Sequence, residues 1–230
     1  MDINNDYVDG IVIYESRHGE TSKILKVFTK KMGKISIMAK GALIPSSPIL
    51  SLSQTFVEAA YLLRKGRNFY YIKSGSLINS NYELRKNFTG MVYASLILEI
   101  IEKSTMEHNG LENVYGILSK SLKILQRTED PLGKALAFFL KYASFMGYRP
   151  SLQIYDNNFF SSDKGTVFVN TNRSYSILKE DIYYLNNLLY TSLDKDFNYN
   201  EDRKKYLLFI LIKYLKYNLE IGELNSLKFL

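Results

Sequence analysis

The first third of the chain contains five short β-patterned segments with no helical period between them, and this pattern restricts the fold more than any other feature. The segments are rich in β-branched and aromatic residues and are separated by breaks that contain Gly or Pro. They are Tyr7–Ser16, Ser22–Thr29, Lys34–Ala39, Gln54–Leu63 and Phe69–Ser76. Five short strands leave exposed sheet edges unless the sheet closes on itself. We therefore predict a closed, five-stranded barrel of the OB type over residues 1–79.

Local turn chemistry supports this assignment. The segment Lys30–Gly33 predicts a tight hairpin between the second and third strands, and Arg64–Asn68, around Gly66, predicts another between the fourth and fifth. Gly10 indicates a β-bulge in the first strand. A loop is expected over Lys40–Pro48 because it contains a glycine and two prolines.

From Ser80 onward the apolar residues follow a helical period. Ser80-Asn81-Tyr82-Glu83 has the composition of a capping box and predicts that a helix begins there. Asn109-x-x-Glu112 repeats this pattern before a helix over Leu111–Arg127. Asp130-Pro131 predicts an N-cap followed by Pro at the first helical position, in a helix that stops at Gly147.

The last third of the chain predicts two further helices after an irregular stretch. Residues 151–177 lack a clear period and have a short β-like stretch at Thr166–Asn170. Helices are expected near Lys179–Leu193 and Glu201–Ile221, the second ending at Gly222. We predict an α+β protein in which residues 80–230 form a helical bundle.

The composition excludes several classes of protein. With no Cys and two His in the chain, no disulfide framework, thiol nucleophile or zinc cage is expected. The longest apolar run, Leu207–Ile212, is far too short to span a membrane. The first ten residues are acidic and polar, unlike a targeting segment, so the default expectation is a cytoplasmic protein. No cofactor or metal is expected.

The positive charge is concentrated in the predicted barrel. Residues 1–80 contain eleven Lys and Arg against six Asp and Glu, a net of +5 out of +7 for the chain. Within residues 17–40, Glu20 is the only acidic residue among seven cations: Arg17, Lys23, Lys26, Lys30, Lys31, Lys34 and Lys40. A concentrated field of one sign attracts polyanions. We expect these cations to share one side of the barrel, although a solvated, solubilising surface is the alternative.

A second basic stretch is interleaved with aromatic residues. Arg64, Lys65 and Arg67 precede the run Phe69-Tyr70-Tyr71. Single strands are held by positive grooves and by aromatic rings on which bases stack, so we predict DNA binding through these three cations and Tyr70, together with the seven listed above. Strand alternation places Tyr70 and Tyr71 on opposite faces, and one of them belongs to the core.

Catalysis is weakly supported. His18 near Glu20 is more typical of a solvated loop than of a general base. Glu99 and Glu102 are three residues apart on one helix. With Lys103 nearby, they are more typical of a polar helix face than of an acid–base pair. A nuclease would need clustered acidic ligands, and Asp2, Asp6 and Asp9 lie near the N-terminus. We predict a protein that is not an enzyme and has no catalytic residues.

Several separated stretches resemble the RecO family of recombination mediator proteins. The stretch from Gly10 to Ala42 is similar to the family's strand, Gly-Glu turn, second strand, Gly-Lys hairpin and Lys-Gly-Ala end. Tyr93 to Glu99, and Phe139 to Pro150 with its Gly-Tyr-x-Pro, are similar to the helical part. The ending Lys228-Phe229-Leu230 resembles the family's tail.

The resemblance implies a non-catalytic role in recombinational repair at the nucleoid. Family members bind single- and double-stranded DNA, anneal complementary strands and, with RecR, help to load RecA on strands coated by single-strand-binding protein (SSB). They also dock the acidic, hydrophobic C-terminal tail of SSB on the helical region, and a basic side chain is needed there to meet a carboxylate. Lys134, Lys141 and Arg149 are the candidates on the corresponding helix.

This sequence departs from the family pattern at one point. Many members follow the Gly-Tyr-x-Pro motif with two Cys-x-x-Cys pairs that hold zinc, whereas Tyr155 and Asn158 stand where the first pair would fall. The resemblance therefore implies a zinc-free member whose residues 151–177 are stabilised by packing. The apolar residues available for this are Tyr155, Phe159, Phe160, Val167 and Phe168.

One alternative from another functional class stays open. The chain would then be a protein–protein adaptor whose helical domain recruits a partner, while the basic barrel has no direct role with DNA.

Overall fold

The computed structural model describes residues 7–230 and has an α+β fold, with a closed five-stranded barrel in the N-terminal region followed by helices. The described chain divides into two compact units. One contains residues 7–86 and 98–123, and the other contains residues 87–97 and 124–230. The α+β class and the barrel are confirmed, and a domain boundary near residue 79 stays a prediction.

The barrel consists of five strands in the order β1-β2-β3-β5-β4, closed by antiparallel pairing of β1 with β4. Four of the five pairings are antiparallel, and β3 and β5 are parallel through two residue pairs. The strands are β1 (Tyr7–His18), β2 (Ser22–Thr29), β3 (Gly33–Ala39), β4 (Glu58–Lys65) and β5 (Tyr70–Asn79), and a one-turn helix, α1 (Ile49–Leu52), precedes β4.

Alternate residues of the strands fill the barrel. Leu25 and Val27 of β2 pack with Ile35 and Ile37 of β3 in one buried cluster. The same cluster contains Tyr61, whose hydroxyl donates to the Leu52 carbonyl of α1 at 2.7 Å. Helix α1 therefore closes the barrel core through an aromatic side chain that keeps its polar atom bonded.

Two barrel glycines have different physical roles. The β1 bulge lies between Val12 and Tyr14, so the prediction that Gly10 marks it is wrong. A Cβ on Gly10 would meet Val27 Cγ1 at 2.5 Å, so glycine is required there by close packing. The predicted hairpin after β2 is confirmed, and Gly33 adopts φ +65°, the left-handed conformation that glycine accepts without strain.

Five α-helices and two 3₁₀ helices follow the barrel in the described part of the chain. Among the described residues, no helix is long and apolar enough to cross a bilayer. The segments are a 3₁₀ helix (Tyr82–Lys86), α2 (Phe88–Ser104), α3 (Glu112–Leu125), α4 (Pro131–Phe145), α5 (Lys179–Tyr190) and α6 (Glu201–Asn218), and a second 3₁₀ helix spans Asn225–Phe229 near the end.

The predicted start of the first long helix is wrong. The Ser80 hydroxyl accepts from the Tyr82 amide at 3.3 Å, a local turn contact, and only a 3₁₀ helix follows. The cap of α2 is Asn87, whose side-chain oxygen accepts from the Gly90 amide at 2.9 Å. Asn and Ser are both good N-caps, so composition alone did not distinguish the two sites.

The predicted ends of α4 are confirmed, whereas the predicted end of α6 is wrong. Asp130 accepts from the Gly133 amide at 2.9 Å, and Gly147 follows α4 with φ +88°. Helix α6 ends at Asn218, and the left-handed residue after it is Glu220, with φ +53°, rather than Gly222. Here the chain reversal uses a non-glycine residue in the conformation that glycine usually occupies.

Residues 151–177 contain a small antiparallel sheet that the sequence did not reveal. Its strands are β6 (Phe159–Ser161), β7 (Gly165–Val167) and β8 (Ser174–Ser176), in the order β7-β6-β8. Phe160 is buried and its ring packs edge-on against Tyr214 of α6 at 5.7 Å. Packing of Phe160 therefore anchors the sheet, as expected, but Phe168 is exposed and does not contribute to the core.

Candidate nucleic-acid interface

Cations surround one tyrosine on the outer surface of the barrel. The tyrosine lies on the outward face of β5, and the cations come from the outward face of β4 and from the residue after β3. The side chains that alternate with the buried set point away from the core. Lys40 Nζ lies 5.5 Å and Arg64 Cζ 4.9 Å from the centroid of the Tyr71 ring. We call Lys40, Arg64 and Tyr71 the Tyr71 cluster. Two cation–π contacts to one ring hold both charges at the surface.

Further cations extend from this cluster along β5 and the β4–β5 hairpin. Lys65, Arg67 and Lys73 are all exposed. Gly66 makes the hairpin possible, because a Cβ there would lie 2.5 Å from the Tyr71 ring. Within residues 7–230, no ion pair joins a carboxylate to any of these three cations or to the two of the Tyr71 cluster. Their charges are therefore available to an external anion.

Tyr70 has a different environment from the one we predicted. It is 7% exposed and belongs to the buried barrel cluster, and its ring meets His108 edge-on at 6.1 Å. Tyr70 cannot stack on a base in this position. Its neighbour Tyr71 is turned outward by the strand alternation and is partly exposed.

Three of the predicted binding cations are held by internal partners instead. Lys23 is buried and pairs with Glu15 at 3.2 Å. Lys26 pairs with the Glu102 carboxylate, and Lys34 donates to the Glu102 backbone carbonyl. Burial lowers the pKa of Lys34, although the Glu102 carboxylate opposes this effect. The expectation that the whole Arg17–Lys40 set faces a partner is therefore wrong for these three lysines.

The other cations of that segment are exposed but lie at two ends of the strands. Lys30 and Lys31 occupy the β2–β3 turn, while Lys40 follows the opposite end of β3. Arg17 lies near the end of β1 and donates to the Gly19 carbonyl at 3.1 Å. The exposed charge is thus concentrated near β4, β5 and the end of β3, with a separate pair at the hairpin.

In the second unit, two of the three candidate partner-binding residues are engaged. Lys134 is 5% exposed, pairs with Asp196 at 2.8 Å and donates to the Lys195 carbonyl. Lys141 donates at 2.6 Å to two backbone carbonyls at the end of α5. Both lysines satisfy buried or terminal carbonyls and so stabilise the helical fold. Arg149 is exposed beyond the end of α4.

A groove along α6 was not recognised from the sequence. It has a volume of about 360 Å³, and Leu208 and Ile212 lie along it one helical turn apart. Three lysines of α6 also line it, and they are Lys205, Lys213 and Lys216. Two features of the sequence could have indicated this groove. One is an apolar pair at positions i and i+4 that is flanked by lysines. The other is the lack of any acidic residue between Asp202 and Glu220.

The remaining candidates from the sequence were residues for metal or acid–base chemistry. Among residues 7–230, no group of three His, Cys, Asp or Glu side chains is close enough to hold a metal ion. Of the three aspartates considered for a nuclease, Asp9 lies in β1 opposite Ala60, and Asp2 and Asp6 lie outside the described residues. His18 and Glu20 are both exposed near the β1–β2 turn.

A closed five-stranded barrel followed by helices, with cations around a partly buried tyrosine that have no carboxylate partner among the described residues, defines an OB-barrel protein with an attached helical region. Family comparison gives the particular assignment. Residues 6–81 match the N-terminal model, and residues 85–228 the C-terminal model, of recombination protein O. The chain belongs to the RecO family.

Curated relatives agree with this assignment. The chain is 36% identical over 145 residues to a protein of Thermoanaerobacter sp. (strain X514), a match that covers 63% of this chain and 58% of the relative. It is 32% identical over 143 residues to a protein of Bacillus cytotoxicus, covering 62% of this chain and 58% of that relative. Both relatives are named DNA repair protein RecO. The match thus spans less than two thirds of each relative's length.

Proposed function

We propose that this protein binds DNA through the Tyr71 cluster and the adjacent cations of β4 and β5, and that it acts in recombinational repair. The single observation that supports this most is the pair of cations over Tyr71, which the described residues leave without a carboxylate partner. Exposed lysines and arginines contact phosphates, and the tyrosine ring holds two of these cations at the surface. Membership of the RecO family supports the same reading.

The proposed mechanism requires no covalent chemistry. Cations that contact the phosphates of two strands reduce the repulsion between them, so complementary strands meet and pair more readily. Binding is expected to be insensitive to sequence, because lysine and arginine side chains that contact phosphates carry no base information. The protein is therefore proposed to be a non-catalytic mediator that anneals strands at the nucleoid.

The proposed partners are RecR, RecA on SSB-coated single strands, and the C-terminal tail of SSB. An acidic, hydrophobic tail requires an apolar groove beside cations. The α6 groove has both, since Leu208 and Ile212 line it together with Lys205, Lys213 and Lys216. Because Lys134 and Lys141 are engaged internally, we propose the α6 groove, rather than those two lysines, for this tail. Arg149 stays a candidate.

The test is the annealing of two complementary oligonucleotides, one labelled with a donor and one with an acceptor fluorophore. Wild-type protein should accelerate pairing over the spontaneous rate at low salt. Lys40→Ala combined with Arg64→Ala should reduce this acceleration, because it removes both cations from Tyr71. A control that loses the same charge from exposed sites of the helical region is Lys179→Ala combined with Lys195→Ala.

Two results would contradict the proposal. If wild-type protein neither binds nor anneals DNA but still captures a partner protein, the adaptor alternative is correct. If the control pair lowers annealing as much as the Tyr71 pair does, net charge rather than the barrel surface determines the activity.

A further inference from the structure

The β6–β8 sheet borders an open cleft of about 610 Å³ that has no part in the function proposed above. Residues of the sheet and of its connecting loops line it, among them Tyr155, Lys164, Phe168 and Arg173. We call these four residues the Phe168 cleft. All of them belong to the second compact unit, so the cleft is described independently of the barrel.

The cleft presents an aromatic face to solvent. Phe168 is 65% exposed, and its ring centroid lies 5.8 Å from that of Tyr155 with an interplanar angle of 54°. A tilted aromatic neighbour holds the edge of the Phe168 ring but does not cover it. A large apolar ring left open beside polar groups is typical of a contact surface.

Two exposed cations lie at the same cleft. Lys164 follows β6, and Arg173 precedes β8, where its guanidinium lies 5.4 Å from the half-exposed ring of Tyr217. One carboxylate, that of Asp163, also lines the cleft. The Ser161 hydroxyl donates a hydrogen bond to the Asp163 carboxylate. This hydrogen bond and the two cations lower the pKa of Asp163, although burial opposes the shift. The two cations therefore exceed the single internal anion.

We propose that the Phe168 cleft binds single-stranded nucleic acid. A base stacks on the Phe168 ring, and the adjoining phosphates contact Lys164 and Arg173. Thr171 and Asn172 line the same cleft and supply a hydroxyl and an amide for the edge of a base. The positive excess favours a polyanion, and the exposed Phe168 ring favours a ligand with a flat aromatic face.

This inference goes beyond the proposed function, because it adds a second strand contact on a different unit of the chain. One molecule would then hold one strand on the barrel and another on the helical region. Such an arrangement increases the effective concentration of one strand near the other.

Fluorescence provides a direct test, because the chain contains no Trp. Phe168→Trp places a single indole in the cleft, and Tyr190→Trp is the control, since Tyr190 on α5 is similarly exposed at 69%. Titration of each full-length variant with oligothymidylate at low salt should quench the indole of the cleft variant saturably and leave that of the control variant nearly unchanged. Equal quenching of both variants, or none of either, would overturn the proposal. Quenching by an acidic peptide alone would assign the cleft to a protein partner.

A second measurement separates this inference from the function of the barrel. The titration of Phe168→Trp is repeated with Lys40→Ala and Arg64→Ala also present. Saturable quenching should persist with these changes, because the cleft contacts the strand without the Tyr71 cluster. If it disappears, the cleft does not bind independently and the inference is wrong, whereas the barrel proposal stands. In the background of Lys40→Ala and Arg64→Ala, Phe168→Ala should weaken the remaining binding at least about fivefold, the low end of measured base stacking.

Discussion

The salt dependence of DNA binding depends on which cations the fold leaves unpaired. Five exposed cations lie on or beside the β4–β5 surface, namely Lys40, Arg64, Lys65, Arg67 and Lys73. Each phosphate contact to a single strand contributes about 0.7 to the log–log slope of affinity against salt, so five contacts predict a slope of about −3.5. Raising the salt from about 50 to about 200 mM should then weaken binding about 130-fold.

Removing two of these cations should reduce both the slope and the weakening of binding by salt. Lys40→Ala with Arg64→Ala should bring the slope to about −2.1 and the loss over the same salt range to about 18-fold. The assay is fluorescence anisotropy of a labelled oligonucleotide, with the dissociation constant measured across a series of salt concentrations. Circular dichroism confirms that the variants fold.

The matched control removes two cations that the structure shows to be internally paired. Lys23→Gln with Lys26→Gln leaves the five exposed cations in place, because Lys23 pairs with Glu15 and Lys26 with Glu102. Its slope should equal that of the wild type even if stability falls. The reasoning is refuted if the control lowers the slope as much as the first pair, or if the first pair leaves it unchanged.

Two further predictions concern stability, each measured by urea unfolding. Asp181 is fully buried against Arg203, so Asp181→Asn should cost about 3–5 kcal/mol, whereas exposed Asp202→Asn should cost less than about 0.5 kcal/mol. Burial raises the pKa of Asp181, but hydrogen bonds outweigh it and hold the pKa below its ordinary value. The stabilisation from Asp181 is therefore complete at neutral pH and is lost as pH falls below about 4. The asparagine variant should not show this part of the loss of stability at acid pH. Gly33→Ala should destabilise the protein more than Gly19→Ala. Both glycines have φ +65°, but only at Gly33 would the new Cβ meet a backbone oxygen, that of Asn109, at 2.0 Å. Equal losses of stability in the two variants would show that this contact with Asn109 is unimportant.

The parts of the fold that the sequence predicted well are those set by local chemistry. Strand β2 has the predicted bounds, and the hairpin after it depends on Gly33, the first residue of β3 directly after the turn. The start of α4 was predicted because Asp130 caps a helix whose first residue is proline. In each case the decisive interaction joins residues within one turn of one another.

The parts that were missed depend on contacts between distant residues. Whether Lys26 faces a strand of DNA or a carboxylate is decided by Glu102, 76 residues away in the sequence. Likewise, Tyr70 and Tyr71 are adjacent residues of the same type, so the sequence does not distinguish them. Only the direction in which β5 enters the barrel decides that Tyr70 lies in the core and Tyr71 faces outward. Charge density therefore indicated a basic module but could not identify the cations that are available to a ligand.

The β6–β8 sheet shows how a short segment without Cys keeps a defined structure. A bound metal fixes such a loop through ligands that lie mostly within the loop itself. Here the fixing contacts come from α6 instead, since Phe160 packs on Tyr214 and the Asn218 amide donates to the Ser162 carbonyl at 2.9 Å. Because its three strands have only three residues each, the sheet depends on α6 for stability. The order of the Phe168 cleft is therefore coupled to the folding of α6, whereas a zinc-bound loop would keep its shape through its own ligands.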